Sequence, residues 1–367
     1  MSGPLEGLRV VELAGLGPAP YACMLLADLG ADVVRLDRPG VHPSDLLARS
    51  RPAIGIDLKQ PAAVALVLDL VAHADVLVEG YRPGVAERLG LGPEECWTRN
   101  RRLVYGRMTG WGQDGPLAAR AGHDIDYIAV SGALWPIGRS GERPVPPINL
   151  VGDFGGGGML LAFGVLAGVF EARRSGEGQV VDAAMLDGSA SLTTMLHELH
   201  RSGGWVEERG ANLLDTGAPF YEVYETSDGG YMAVGALEPQ FYATFVEGLG
   251  IDELPAQMDR STWPATKERF AAVFATKTRA EWTAIFEGTD ACVAPVLAPW
   301  EAHEHPHNRE RSTFVDRFGV LQPGVAPRFS RTPGEVRVGA QDPSHVLGRW
   351  GISSERVGSL RQEGVMG

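Results

Sequence analysis

Short apolar runs alternate with longer helical patterns along the first 110 residues. Leu8–Leu13 and Ala31–Leu36 are apolar runs of strand length, Gly15–Pro18 is a turn, and Tyr21–Leu29 repeats its apolar positions at helical spacing. Three further strands are predicted over Ala53–Leu58, Asp75–Glu79 and Leu103–Met108. Strands that alternate with helices are typical of parallel βαβ units, so this part of the chain predicts a large α/β lobe with a doubly wound parallel sheet.

The pattern changes after residue 120. Helices are predicted over Gly122–Leu134, Phe154–Arg174 and Leu186–Ser202, with a short strand over Gln179–Ala183. Residues 203–219 are rich in glycine and polar side chains, which predicts a linker.

A hairpin pattern follows the linker. Tyr221–Thr226 and Tyr231–Val234 are separated by Ser227–Gly230, the composition of a tight turn between two strands. Later elements are predicted as helices over Pro239–Leu249, Ala265–Ala275 and Arg279–Gly288, and a strand over Val293–Leu297. The order of these elements predicts a smaller α+β lobe.

Composition narrows the class of protein. The chain has 367 residues, of which 44% are hydrophobic, and this length favours two lobes over one. Its formal net charge is −13, from 46 acidic and 33 basic residues. A surface of that sign repels a phosphate backbone, so we expect no nucleic-acid partner.

Cysteine usage and the absence of targeting patterns predict a cytoplasmic protein. Cys23, Cys96 and Cys292 are far apart and odd in number, which argues against a disulfide framework. No run of about 18 uncharged apolar residues occurs, so no membrane span is expected. Met1–Glu6 has no secretory pattern, and Gly364–Gly367 is not a peroxisomal address.

Two histidine clusters resemble metal sites only superficially. His197 and His200 are one residue short of the spacing that places two ligands on one helical turn. His303, His305 and His307 stand in a polar stretch that predicts a surface loop. We therefore expect no metal.

Seven segments in order along nearly the whole chain resemble the α-methylacyl-CoA racemases of the family III CoA-transferase superfamily. The segments are Val10–Leu16, Val33–Pro39, Asp57–Pro61, Met108–Gln113, Gly122–Tyr127, Asn149–Gly157 and Ala236–Tyr242. The resemblance implies a Rossmann-like large lobe and an interlocked homodimer, in which the small lobe of one chain covers the large lobe of the other.

Pattern and resemblance together predict four parts of the chain. These are a large α/β CoA-binding domain over 1–202, a linker over 203–219, a small α+β domain over 220–320, and a segment over 321–367 that returns to the large domain.

The resemblance implies racemisation of a 2-methyl-branched acyl-CoA thioester by removal and return of its α-proton through an enolate. A thioester α-carbon is a weak acid, so inversion needs a base on one face, an acid on the other and a donor at the carbonyl oxygen. The resemblance implies a reaction without a metal, nicotinamide, flavin or pyridoxal cofactor. CoA itself is part of the substrate. The acyl group is a branched fatty acyl chain or a sterol side chain, and the sequence does not choose between them.

Three residues match the proton carriers of the racemases. His123, Asp153 and Glu238 each stand at the start of a predicted helix, so helix capping or packing is the ordinary explanation for each. Asp153 in particular is predicted as the N-cap of a helix whose glycines leave room for a thioester. The resemblance implies instead that His123 and Asp153 act on opposite faces and that Glu238, from the second chain, orients His123. The backbone N–H of Asp124 is expected to meet the enolate oxygen.

The resemblance also implies a set of CoA-binding residues. They are Arg38, Leu58, Lys59, Gly80, Tyr81, Arg88 and Met108, with Tyr127 near the thioester. Arg82 and Arg107 are basic as well, but as residues of exposed element ends they are expected to be solvated.

Two alternative functions stay open. Transferases of the same superfamily use the residue that matches Asp153 as a nucleophile that carries CoA. An NAD-dependent oxidoreductase is the less favoured alternative: Gly15–Pro20 follows a strand and Asp37 ends the next one, close to a dinucleotide fingerprint. However, Pro20 occupies the position of the third glycine in that fingerprint.

Overall fold

The computed structural model describes residues 3–41, 46–339 and 342–366. The chain divides into two units. The first comprises Met1–Ser131, Ile148–Leu192 and Pro306–Gly367, and the second comprises Gly132–Pro147 and Thr193–His305. The second unit thus includes residues 132–147 and 193–202, which the sequence pattern assigns to the large domain, together with the predicted linker over 203–219. The chain returns to the first unit at Pro306.

A six-stranded parallel sheet forms the centre of the first unit. Its strands are β1 (Arg9–Leu13), β2 (Asp32–Asp37), β3 (Ala53–Gly55), β4 (Val76–Glu79), β5 (Val104–Thr109) and β6 (Val180–Ala184). They lie in the order β3-β2-β1-β4-β5-β6, which is the doubly wound order of dinucleotide-binding folds. The carboxyl ends of these strands meet at one edge, where such folds bind their ligands.

Helices cover the sheet of the first unit. They are α1 (Pro18–Asp28), α2 (Pro61–Val71), α3 (Val85–Arg88), α4 (Pro93–Arg99), α5 (Asp124–Val130), a π-helix (Leu150–Met159), α6 (Leu160–Ser175) and α7 (Met185–Leu192). Two separate apolar clusters result, one containing Leu66 and Leu70 of α2 and the other Leu26 of α1 and Val165 of α6. Two clusters are expected when strands are buried on both faces.

The last residues of the first unit contribute to the apolar cluster that contains Leu66 and Leu70. This C-terminal part contains α12 (Pro306–Glu310), β10 (Phe314–Arg317), β11 (Val320–Pro323), α13 (Pro343–Arg349) and α14 (Ser354–Gln362). Trp350 is fully buried in the cluster around α2, and its indole N–H donates to Asp32 Oδ2 at 3.1 Å. A single bridge pairs Ile56 with Met366.

The second unit is built on a three-stranded antiparallel sheet. The predicted hairpin is present as β7 (Tyr221–Glu225) and β8 (Tyr231–Gly235), and β9 (Val293–Pro295) pairs with β8. The helices are α8 (Thr194–Arg201), α9 (Pro239–Leu249), α10 (Trp263–Phe274) and α11 (Arg279–Phe286). The core is strongly aromatic, with Phe245, Phe270 and Trp282 fully buried.

Two predicted helices differ from the structure. The helix predicted over Phe154–Arg174 begins at Leu150, and its first ten residues form a π-helix. The helix predicted over Leu186–Ser202 is two helices, α7 and α8, that meet at Thr193. The stretch Leu150–Ser175 has the length and apolar composition of a membrane-crossing helix, but core helices meet the same criterion and 39% of its most apolar window is buried.

Candidate active site

A cleft of about 270 Å³ opens at the carboxyl edge of the parallel sheet. The loops that follow β1, β4 and β5 form its walls, as the strand order predicts. Its lining includes five of the residues expected at the site: Gly80, Tyr81, Met108, His123 and Tyr127.

His123 caps α5 and presents its imidazole at this cleft. Its backbone is extended (φ −131°, ψ 174°), and its N–H donates to Asp126 Oδ2 at 2.9 Å. The residue is exposed, lines the cleft and forms a capping box with Asp126. The capping contacts therefore hold His123 at the start of α5, beside the cleft.

The first turn of α5 also leaves a backbone donor unused. The N–H of Asp126 donates to the carbonyl of His123 at 2.9 Å, but the N–H of Asp124 has no acceptor among the described residues. Unsatisfied N–H groups at a helix start favour negative charge. Asp124 itself is buried and is not among the residues that line the cleft.

Asp153 lies inside the π-helix, so the prediction that it caps a helix is wrong. The N-cap is Asn149, whose carbonyl accepts the N–H of Phe154 at 3.3 Å, five residues on. The side-chain amide of Asn149 donates to Asp153 Oδ2 at 3.1 Å. π-Helical turns are rare and concentrate at functional sites, because they redirect side chains that an α-helix would place elsewhere.

The Asp153 carboxylate faces the glycine turn after β1. A Cβ on Gly17 would lie 3.3 Å from Asp153 Oδ2, and Gly17 has a φ of +66° that disfavours other residues. A carboxylate at this turn would repel the pyrophosphate of a dinucleotide. The turn that resembles a dinucleotide fingerprint is thus occupied by an acidic side chain.

Asp124 connects the helix of His123 to the π-helix of Asp153. Its Oδ2 accepts the backbone N–H of Asp153 at 2.7 Å, while its Oδ1 is buried without a partner among the described residues. Burial raises the pKa of Asp124, and the charge of Asp153 acts in the same direction. A Cβ on Gly152 would collide with the Asp124 carboxylate, so this contact requires glycine there.

The other glycines of the π-helix serve packing between helices. Gly156, Gly157 and Gly158 are buried, and a Cβ on Gly156 would lie 2.6 Å from the backbone nitrogen of Ser189. A Cβ on Gly158 would lie 2.8 Å from the carbonyl oxygen of Pro18. The expectation that this run leaves room for a thioester is therefore wrong for these three positions, which are filled by neighbouring helices.

Tyr127 is held rigidly beside the cleft. Its hydroxyl donates to the carbonyl of Gly122 at 2.5 Å, and its ring packs edge-on against Trp111 with centroids 4.8 Å apart. Burial raises the pKa of Tyr127, with a further rise from the charge of Asp153 and an opposing effect of Arg82. Asp153 and Arg82 thus each lie within electrostatic range of Tyr127.

The cations around the site only partly match the prediction. Arg82 and Arg120 line the cleft, although Arg82 is predicted to be merely solvated and Arg120 carries no sequence signal. The position of Arg82 directly after Gly80 and Tyr81, at a strand end, is the signal that could have identified it. The predicted residues Arg38, Leu58, Lys59 and Arg88 lie outside the cleft lining.

Those four residues stand at nearby strand and helix ends. Arg38 is exposed just after β2, and its charge lowers the pKa of Tyr81, which burial raises. Lys59 is exposed and Leu58 is half-buried against the core. The guanidinium of Arg88 lies near Gly84, where a Cβ would be 3.1 Å from it.

Arg107 contradicts the expectation of a solvated side chain. It is buried on β5 and forms ion pairs with Glu87 at 2.5 Å and with Glu79 at 3.8 Å. Its third partner is the side-chain oxygen of Gln113, at 2.6 Å.

Glu238 belongs to the second unit, where it is the N-cap residue of α9. Its side chain is exposed and makes no capping hydrogen bond, so capping does not account for the carboxylate. Its charge adds to the effect of burial in raising the pKa of Cys292. In the described ranges, no three His, Cys, Asp or Glu side chains come together as metal ligands.

Comparison with known proteins identifies a family and several relatives that are similar to this chain in sequence. A model of the CoA-transferase family III matches residues 5–345. The chain is 49% identical to alpha-methylacyl-CoA racemase from Mus musculus and 46% identical to the protein of that name from Homo sapiens, in both cases over 99% of this chain and 97% of the relative. It is 30% identical to succinyl-CoA–D-citramalate CoA-transferase from Chloroflexus aurantiacus, over 91% of this chain and 89% of the relative.

A solved structure has the same fold. A CaiB/BaiF family protein from Brucella suis superposes with a TM-score of 0.78 at 24% identity, over 99% of this chain and 100% of that chain.

Proposed function

The chain belongs to the CoA-transferase family III, and we propose that within this family it is an isomerase, a racemase of 2-methyl-branched acyl-CoA thioesters. The observation that carries the proposal is the level of identity. Relatives named as racemases are 49% and 46% identical over nearly the full chain, against 30% for the named CoA-transferase.

His123 and Asp153 are the proton carriers in this proposal. His123 removes or returns the α-proton on one face and Asp153 does so on the other, which inverts the centre through an enolate. Support comes from the exposed position of His123 in the cleft lining and from Asp124, whose carboxylate accepts the N–H of Asp153 and which belongs to the helix that His123 begins. The unused N–H of Asp124 is the proposed donor to the enolate oxygen.

The proposed substrate enters by its CoA and acyl portions. Arg82 and Arg120, with the expected Arg38, Lys59 and Arg88, supply positive charge for phosphates. Leu16, Met108 and Met185 in the cleft lining offer an apolar surface for the acyl chain. Flexible methionines adapt to different chains, which suits either a branched fatty acyl or a sterol side-chain thioester.

We propose a homodimer in which Glu238 of one chain orients His123 of the other. Support comes from the exposed carboxylate of Glu238 and from an apolar stripe on α6, where Phe163 and Phe170 are 71% and 73% exposed. Large exposed aromatic side chains on one helix face are typical of an interface. The three free cysteines are consistent with the proposed cytoplasmic location. The proposed reaction needs no cofactor.

The deciding experiment uses one enantiomer of a 2-methylacyl-CoA in deuterated water, without any added free acid. Racemisation accompanied by a mass increase of one unit is the expected result. His123→Asn should lower racemisation by about 10²- to 10⁴-fold, whereas His345→Asn, which changes an exposed histidine of α13, is the matched control.

The alternatives give different outcomes in the same assay. Turnover that requires a second carboxylic acid, with CoA passing to it, would establish the transferase with Asp153 as nucleophile. Dependence on a nicotinamide would establish the oxidoreductase, which the carboxylate at Gly17 disfavours.

A further inference from the structure

Arg107 joins three segments that surround the cleft. Its Nη1 donates to the side-chain oxygen of Gln113, which lies two residues after Trp111 of the cleft lining. Its Nη2 donates to the carboxylate of Glu87 in α3. Its third neighbour is Glu79, the last residue of β4, at 3.8 Å. The planar guanidinium can hold several acceptors in fixed directions, which an ammonium cannot do.

Glu79 in turn anchors the loop that begins the next segment. Its buried carboxylate accepts the backbone N–H of Tyr81 at 2.6 Å. Gly80, Tyr81 and Arg82 all line the cleft. The position of this loop therefore depends on one buried carboxylate beneath it.

We propose that Arg107 is a positioning residue for acyl-CoA binding and that Glu79 makes this binding depend on pH by anchoring the loop at Tyr81. Neither side chain lines the cleft, so both act through the residues that do. The inference rests on the proposed binding of acyl-CoA in this cleft.

The environment of Glu79 supports a protonation change near neutrality. Burial raises the pKa of Glu79 to about 7, with smaller effects that oppose it from the N–H of Tyr81 and the charge of Arg107. The charges of Glu87 and Asp182 raise it further. Among the described residues, the phenols of Tyr81 and Tyr105 also face it; burial raises the pKa of each phenol, and the charge of Glu79 adds to that rise.

The two protonation states differ in how firmly they hold the loop. The carboxylate makes a charge-assisted hydrogen bond to Tyr81 and attracts Arg107, whereas the protonated carboxyl makes an ordinary bond and no ion pair. Acyl-CoA affinity should therefore fall as the pH drops through about 7.

The test measures the Kd of butanoyl-CoA, a thioester without an α-methyl branch, for the wild-type protein and Glu79→Gln between about pH 5.5 and 8.5. The amide resembles the protonated carboxyl, so the ratio of the two Kd values should be about 1 at low pH and rise to about fivefold at high pH. Titration of the ligand phosphates is common to both proteins and cancels in the ratio.

Asp75→Asn is the matched control. Asp75 precedes β4 at the opposite edge of the sheet and accepts the backbone N–H of Arg9 at 2.9 Å. Asp75→Asn therefore removes the charge from a similar hydrogen bond away from the cleft. Its Kd ratio should stay near 1 at every pH. Arg107→Lys keeps the positive charge but loses the planar guanidinium that donates to several acceptors. It should weaken the binding of butanoyl-CoA about tenfold at high pH.

The outcomes separate this inference from the proposed function. A Glu79→Gln ratio that does not change with pH, or an unaltered affinity in Arg107→Lys, would overturn the inference. Failure of the wild-type protein to bind butanoyl-CoA would overturn it together with the proposed substrate class. The expected ratio without racemisation would support the inference and contradict only the proposed racemase. If Arg107→Lys does not fold, the Glu79→Gln ratio alone decides.

Discussion

The carboxylate of Asp124 accepts the backbone N–H of Asp153 at 2.7 Å, so the residue next to His123 in sequence holds the other proposed proton carrier in place. In the proposed reaction Asp124 has two roles: its side chain holds Asp153, and its unused N–H donates to the substrate oxygen. A substitution at this residue should therefore affect both proton transfer by Asp153 and stabilisation of the enolate oxygen.

Asp124→Ala should lower kcat for racemisation about tenfold and leave KM almost unchanged, because it removes the acceptor for the Asp153 N–H but no group that touches CoA. Asp124→Asn keeps a side-chain oxygen at the same place and should be milder. Steady-state kinetics with a 2-methylacyl-CoA measure both. Equal losses in the two variants would show that the carboxylate charge matters and the hydrogen bond does not.

Asp153→Asn should lower racemisation by about 10²- to 10⁴-fold in both directions, since one of two essential proton carriers is lost. Exchange of the proton that His123 alone removes should persist for one enantiomer, because return on the same face does not invert the centre. His123→Ala should give the mirror pattern. Deuterium wash-in, followed separately for each enantiomer, is the measurement, and equal wash-in from both in Asp153→Asn would mean that one mobile base serves both faces.

Gly17→Ala should reduce racemisation, because the added methyl would lie 3.3 Å from Asp153 Oδ2 and shift the carboxylate by a few tenths of an ångström. Gly40→Ala is the control: its φ of +75° is also positive, but no described residue lies within 4 Å of the new Cβ. Both variants should lose about 1 kcal/mol of stability in thermal unfolding. Only Gly17→Ala should lose activity. Comparable activity in the two variants would contradict the placement of the Asp153 carboxylate beside this turn.

A mixture of His123→Ala and Glu238→Ala chains, refolded together, should be more active than the sum of the separate variants. In the proposed mixed dimer, one site combines an intact His123 with an intact Glu238 from the other chain. Glu238→Gln alone should be milder than His123→Ala, since it removes only the group that orients the imidazole. Light scattering that found a fully active monomer of about 39 kDa would contradict the dimer.

Glu79→Gln should stabilise the fold increasingly as the pH rises. The pKa of Glu79 is about 7 in the folded protein and 4.5 as a reference, so between these values the unfolded chain releases a proton that the folded one keeps. Wild-type stability therefore falls as pH rises through this window, by up to about 3 kcal/mol, and the amide removes that loss. Urea unfolding at about pH 4.5, 6 and 8 measures it, with the exposed Glu177→Gln as control. A constant difference between wild type and Glu79→Gln would contradict the assignment.

The sequence by itself determined the elements of the sheet and the membership of the family. Apolar runs and glycine turns are local properties, so the strands from Arg9–Leu13 to Val104–Thr109 and the hairpin at Ser227–Gly230 could be predicted without knowing their neighbours. Seven short segments in order were enough to indicate the family, which the match over residues 5–345 confirms.

Only the tertiary structure decided the surroundings of the individual site residues. Arg107 looks like a solvated strand end in sequence, yet it is buried because β4 lies beside β5 and brings Glu79 to it. The π-helix around Asp153 reads as an ordinary helix start, but the packing of its glycines against Pro18 and Ser189 is not visible in the chain. Spacing along a chain encodes local geometry, whereas burial, ion pairing and pKa depend on which distant segments become neighbours when the sheet is assembled.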